Sequence, residues 1–94
     1  MATYWGTGRL GAHQSVAYTG TAGTIATAFG TGTQKVRVVL TTAGYIKISS
    51  SPTATTSDVY MAADSPEYFT VNPGEKVSAI QLTTGGTLHV TEVS

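Results

Sequence analysis

The amino-acid sequence predicts an all-β domain, built as a sandwich or a small barrel of short antiparallel strands. About six short segments alternate apolar and polar residues, which is the period of a half-buried strand. Gly, Pro, Asn and hydroxyl residues separate these segments, and no segment has the periodicity of an amphipathic helix. The length of 94 residues allows one hydrophobic core and therefore one domain.

The clearest strand covers residues 35 to 42, in which three apolar side chains share one face. Gly44 interrupts the pattern, and the next segment alternates again, with Ile46 and Ile48 on one face and Lys47 on the other. We therefore predict that these two strands form a hairpin.

The middle of the chain predicts a loop followed by two short strands and a turn. Residues 49 to 57 contain a proline and many hydroxyl side chains, which is typical of a surface loop. Short strands are expected at residues 58 to 61 and 68 to 71. Asn72-Pro73-Gly74 fits a type II turn, because proline fixes φ at its second position and glycine allows a positive φ at its third.

Two strands are predicted after this turn. The apolar residues of the segment 76 to 83 change phase in the middle, so we expect a β-bulge near Ser78 or Ala79. Gly85-Gly86 is typical of a hairpin turn, and residues 87 to 93 form the last predicted strand.

The first third of the chain differs in composition, since residues 1 to 33 contain seven of the eleven glycines. We predict an arm at residues 1 to 11 that orders on a partner, followed by a single β-domain at residues 12 to 94. Residues 12 to 29 are expected to supply one or two edge strands from Val16, Tyr18, Ile25 and Phe29. The alternative is that residues 1 to 11 are an ordinary irregular N-terminal strand.

Charge excludes some classes of partner. Five basic residues balance five acidic ones, so the chain has no net field to attract nucleic acid or an acidic membrane. Charged residues make up 11% of the chain, against about 25% in ordinary domains. Neither a secretory signal nor an apolar membrane span is visible, so we expect synthesis and assembly in the cytoplasm.

No motif predicts catalysis, a cofactor or a metal. Residues 6 to 11 match the dinucleotide pattern G-x-G-x-x-G, but no strand precedes them and no helix follows, as that motif requires. His13 and His89 have no signature spacing to a nucleophile or to a set of metal ligands, and we predict that the chain is not an enzyme.

Aromatic residues are the candidates for contact with other proteins. Trp5 lies in the glycine-rich arm beside Tyr4 and Arg9, outside any core-forming segment, which suits an anchor in an intermolecular pocket or, alternatively, in a fold-back site on its own domain. Phe69 is expected in the core, whereas tyrosine gives a large contact area at a low entropic cost. The predicted interface residues are Tyr4, Trp5, Arg9, Tyr45, Tyr60 and Tyr68.

The segment from Val36 to Val93 resembles small structural proteins in the virions of tailed bacteriophages, of the capsid cement or decoration type. The Pro-Thr-Ala-Thr loop at 52 to 55, the block from Glu67 to Gly74 and the ending from Thr87 to Glu92 carry the resemblance. It implies a jelly-roll-like β-sandwich that binds the major capsid protein as a homo-oligomer on the capsid and cements neighbouring subunits. The alternatives are a head-to-tail joining or tail-associated protein, and a sugar-binding module of a host-recognition spike.

Overall fold

The computed structural model describes residues 10–31 and 35–93, and within them eight strands and no helix. No helix able to cross a membrane is therefore found in this part of the chain. The strands are β1 (Leu10–Tyr18), β2 (Gly23–Thr24), β3 (Lys35–Leu40), β4 (Gly44–Ser49), β5 (Val59–Met61), β6 (Glu67–Thr70), β7 (Lys76–Gln81) and β8 (Gly86–Val93). The all-β prediction is confirmed. The six clearest predicted strands correspond to β3 to β8, and the expected edge strands are β1 and β2.

The strands form a sandwich of two antiparallel sheets, which excludes the barrel. Sheet I has the order β1-β8-β3-β6, and sheet II has the order β2-β7-β4-β5. The first strand thus pairs with the eighth, the second with the seventh, the third with the sixth and the fourth with the fifth. This is the strand order of a jelly roll. Strand β1 includes Leu10 and Gly11, which the sequence alone places in the arm.

Both predicted hairpins are wrong, because the strands on either side of each connection belong to different sheets. Residues 41–43 carry the chain from β3 in sheet I to β4 in sheet II. Strands β7 and β8, on either side of Gly85, also lie in different sheets. Gly44 is not a turn residue but the first residue of β4, paired with Met61 and Gln81.

The core lies between the sheets and consists of inward-facing residues of both. Val36, Val38 and Leu40 alternate along β3 and are completely buried, as their spacing predicts. Sheet II contributes Ile46 and Val77 among others. The remaining members of this cluster are Tyr18, Ile25, Phe29, Met61, Val71, Ala79, Leu88 and Val90.

The Tyr18 hydroxyl ties β1 to the connection between the two sheets. It accepts a hydrogen bond from the Thr42 backbone N–H at 3.1 Å and donates to the Thr42 carbonyl. The ring of Tyr18 is 1% exposed, so a core side chain holds the corner at which the chain changes sheet.

The turn at residues 72–75 has the predicted geometry. Gly74 has a φ of 86°, and the Glu75 N–H donates to the Asn72 carbonyl at 3.2 Å. The Gly74 N–H in turn donates to the Phe29 carbonyl at 2.8 Å, so the turn is tied to the segment that follows β2.

The bulge predicted in β7 is absent from that strand. Strand β7 pairs with β4 without a register shift, from Lys76 opposite Ser49 to Gln81 opposite Gly44. The apolar phase changes because Val77 and Ala79 face the core, whereas the next apolar residue, Ile80, lies on the outer face opposite Tyr45. A register shift occurs instead in β1, between Leu10 and His13.

Candidate functional site

The structure separates the predicted interface residues into two groups on opposite sides of the sandwich. Tyr45 and Tyr60 lie on the outer face of sheet II, whereas Tyr68 lies on the outer face of sheet I. The predictions for Tyr4, Trp5 and Arg9 concern residues outside those that the structure describes.

We call the apolar patch on sheet II the aromatic face, defined as Tyr45, Tyr60, Ile80 and Leu82. Tyr45 is directly opposite Tyr60 on one neighbouring strand and Ile80 on the other. The two tyrosine rings are in edge contact, with centroids 5.9 Å apart and an interplanar angle of 69°.

Alternation explains why the aromatic face points outward, since Ile46, Ala79 and Met61 take the inward positions. Leu82 lies two residues beyond Ile80. Its N–H donates to the Ala43 carbonyl at 3.1 Å, so Leu82 continues the outward register of Ile80. Tyr60 is 54% exposed and Leu82 is 44% exposed. Grouped exposed apolar side chains of this kind are typical of a surface that contacts another protein.

A loop covers the part of the outer face of sheet II around Ser78. Ser78 Oγ accepts hydrogen bonds from the Ala54 N–H at 3.0 Å and from Thr24 Oγ1 at 3.1 Å. Thr24 Oγ1 also lies within donating distance of the Pro52 carbonyl, at 3.3 Å. Pro52 and Ala54 are consequently buried, although the loop itself runs over the surface as predicted. The loop therefore leaves the aromatic face and the exposed Lys47 open on this side.

We call the outward side chains of sheet I the polar face, defined as His13, Lys35, Arg37, Tyr68 and His89. Pairing places one residue from each of its four strands in a single row, in the order His13, Thr91, Arg37, Tyr68. Tyr68 is 42% exposed, and Lys35 and Arg37 are half-buried. Thr91 is only 8% exposed, so the open parts of this row are its two ends, at His13 and Tyr68.

The two histidines, far apart in sequence, lie together on the polar face. Their rings stack with centroids 5.5 Å apart and an interplanar angle of 21°. His13 Nδ1 and Thr91 Oγ1 share a hydrogen bond of 2.9 Å. The sequence contained no sign of this pair, because only the register of β1 against β8 brings the rings together.

Cations lie on both outer sides of the sandwich, and on sheet II these are Lys47 and Lys76, beyond the aromatic face. The polar face holds Lys35 and Arg37, and no acidic residue takes an outward position among the paired residues of sheet I. Glu67 and Glu92 occupy the inward register, opposite Val38 and Val36. The aromatic face has no charged member.

Two other places bear on chemistry. Among residues 10–31 and 35–93, no group of three or more His, Cys, Asp or Glu side chains is placed to hold a metal ion.

An open groove of about 270 Å³ lies at the flank where β4 and β5 approach β6. Its lining is mainly apolar and consists of Ile46, Lys47, Ile48, Asp58, Val59 and Phe69. Phe69, expected in the core, is half-buried and packs against the core from this flank.

Comparison of the chain with protein-family models, with curated proteins and with solved structures found no match. The candidate site consists of two exposed sheet faces on opposite sides of the molecule, one apolar and aromatic and the other cationic and hydrogen-bonding.

Proposed function

We propose that this chain is a structural protein of a tailed-phage particle that binds the capsid surface and cements neighbouring major capsid subunits. The observation that supports it most directly is the presence of two exposed faces on opposite sides of one small sandwich. A protein that links two subunits needs two contact surfaces, and a rigid two-layer fold holds them at a constant separation.

The composition of the faces suits such a role. Tyrosine and aliphatic side chains on the aromatic face supply apolar contact area, which is the main source of binding free energy between proteins. Hydroxyl and cationic side chains on the polar face supply orientation and specificity. A ligand that binds the assembled shell but not the free subunits stabilises the shell by mass action.

The first test measures copy number and particle strength. Quantitative mass spectrometry of purified virions should find hundreds of copies of this chain, on the scale of a shell surface. Virions that lack the chain should release DNA at a lower temperature and under milder osmotic shock. A dozen or fewer copies, on the order of one ring of subunits, would contradict the cement role and favour a head-to-tail joining protein.

The second test asks whether both faces are needed. Tyr60→Ser on the aromatic face and Tyr68→Ser on the polar face should each weaken binding to stripped capsids about tenfold or more. Ser65→Ala, in the exposed loop between β5 and β6, is the matched control and should bind as the unmodified chain does. Full binding by both tyrosine variants, with unchanged circular dichroism, would contradict a bridging role for the two faces.

A further inference from the structure

The polar face has an excess of positive charge that the neutral chain as a whole conceals. Lys35 and Arg37 project from the same side of β3, two residues apart. The stacked histidine rings lie on the same face, His89 on the neighbouring β8 and His13 on β1. Glu67 and Glu92 belong to sheet I but take the inward register, and the other described acidic residues lie outside this sheet. Asp58 accepts hydrogen bonds from Thr55 N–H and Oγ1 at 2.7 and 3.1 Å. Glu75 accepts one from the Asn72 N–H at 2.7 Å.

We propose that the polar face binds an acidic polypeptide segment that runs along β3 over Lys35 and Arg37, with Arg37 as its principal carboxylate ligand. The guanidinium group presents donors in a planar fork that matches a carboxylate, which makes Arg37 the stronger of the two cations for this purpose. Tyr68 follows Arg37 in the row and adds an exposed ring with a hydroxyl group. This inference rests on the proposed function only in taking the partner segment to belong to a capsid subunit.

The shape and charge of the face favour an acidic peptide over nucleic acid. Tight binding to a phosphate backbone uses about six to ten cationic contacts, whereas this face has two permanently charged side chains. Lys35 and Arg37 lie two residues apart on β3, about 6.6 Å along the strand, which matches the spacing of carboxylates on alternate residues of an extended segment. The His13 and Thr91 hydrogen bond orders the end of the row opposite to Tyr68.

The test uses the purified full chain and a fluorescent peptide in which aspartate and threonine alternate. A second peptide replaces each aspartate with asparagine. We expect the aspartate peptide to bind about tenfold or more tightly than the asparagine peptide at low ionic strength, and to weaken as salt is added. Chemical-shift changes should concentrate on the amides of β3, β8 and β6. Equal binding of the two peptides would overturn the proposal.

Substitutions then identify the charged group. Arg37→Met should reduce affinity for the aspartate peptide about tenfold, and Arg37→Lys should restore only part of it, because lysine lacks the fork. Lys76→Met is the matched control, since it removes the same charge from sheet II, and it should change affinity by less than about twofold. An equal loss from Lys76→Met and Arg37→Met would show non-specific attraction and overturn the proposal.

Two further measurements separate this proposal from the one on function. A single-stranded oligonucleotide that binds more tightly than the aspartate peptide would assign the face to phosphate and refute the inference. Peptide binding without any binding to capsids would leave the inference standing and contradict the cement role. If the chain binds capsids but not the peptide, and Arg37→Met leaves capsid binding unchanged, the inference is contradicted and the cement role stands.

Discussion

Replacement of Ser78 by alanine is expected to detach the loop that covers the outer face of sheet II. Ser78 is completely buried, and its hydroxyl is the acceptor for the Ala54 N–H at 3.0 Å. Ala54 is itself 2% exposed, so its N–H cannot turn to water while the loop stays in place. The variant must therefore either bury an unsatisfied donor or open the loop.

The magnitude follows from the groups that lose a partner. A buried donor left without an acceptor costs about 1–3 kcal/mol. The Thr24 hydroxyl adds little, because the Pro52 carbonyl remains available to it at 3.3 Å. We therefore expect Ser78→Ala to lower the free energy of unfolding by about 2 kcal/mol, which for a domain of this size is a fall of about 8–16 °C in the melting temperature.

Urea denaturation followed by circular dichroism measures this loss, and amide hydrogen exchange locates it. Exchange at the Ala54 amide should accelerate, while core amides of β3 should change only with global stability. Ser50→Ala, in the exposed part of the same loop, is the control and should change stability by less than about 0.5 kcal/mol. A loss below about 0.5 kcal/mol for Ser78→Ala, or an unchanged Ala54 exchange rate, would refute the reasoning.

Three further substitutions test the fold. Tyr18→Phe should cost about 1–2 kcal/mol in urea denaturation, because the Thr42 N–H loses its acceptor; stability equal to that of the unmodified chain would contradict a role for this hydroxyl. Gly44→Ala should cost about 2 kcal/mol or more, since the added Cβ would collide with a backbone carbonyl oxygen of β7. Gly30→Ala, with nothing within 4 Å of the added Cβ, should cost less than about 0.5 kcal/mol, and similar melting temperatures for these two variants would argue against the close approach. Gly74→Ala should lower stability by about 1–2 kcal/mol in calorimetry because of its φ of 86°, and no loss would exclude that backbone conformation.

Strand positions could be predicted from the sequence, whereas strand partners could not. Alternation placed Val36, Val38 and Leu40 in the core because a half-buried strand imposes a period of two on its residues. A short connection with glycine beside it is compatible with a hairpin and equally with a corner that leads to the opposite sheet. Local sequence does not distinguish the two, because the choice depends on which distant strand completes each sheet.

The positions of the candidate contact surfaces could not be predicted from the sequence for the same reason. The residue type makes Tyr45, Tyr60 and Tyr68 candidates for contact, but their division between two faces depends on strand pairing. The phase change in β7 has its cause in the same outer face, since Ile80 lies beside Tyr45 while Val77 and Ala79 face the core. Sequence periodicity shows that apolar residues occupy one side of a strand, but it does not identify the strand, loop or other protein that covers that side.

The central position of β8 has a consequence for biosynthesis. Strand β8 follows every other described strand in the chain, yet it pairs with both β1 and β3 in the middle of sheet I. While the ribosome is still making residues 86 to 93, β1 has no neighbour in its sheet and β3 has only β6. The sandwich therefore closes only after β8 has left the exit tunnel. Folding then takes about milliseconds to seconds, as is typical of β-folds whose contacts are mostly non-local. A nascent chain released before Gly86 lacks the strand that joins β1 to β3 and leaves two sheet edges open to other chains.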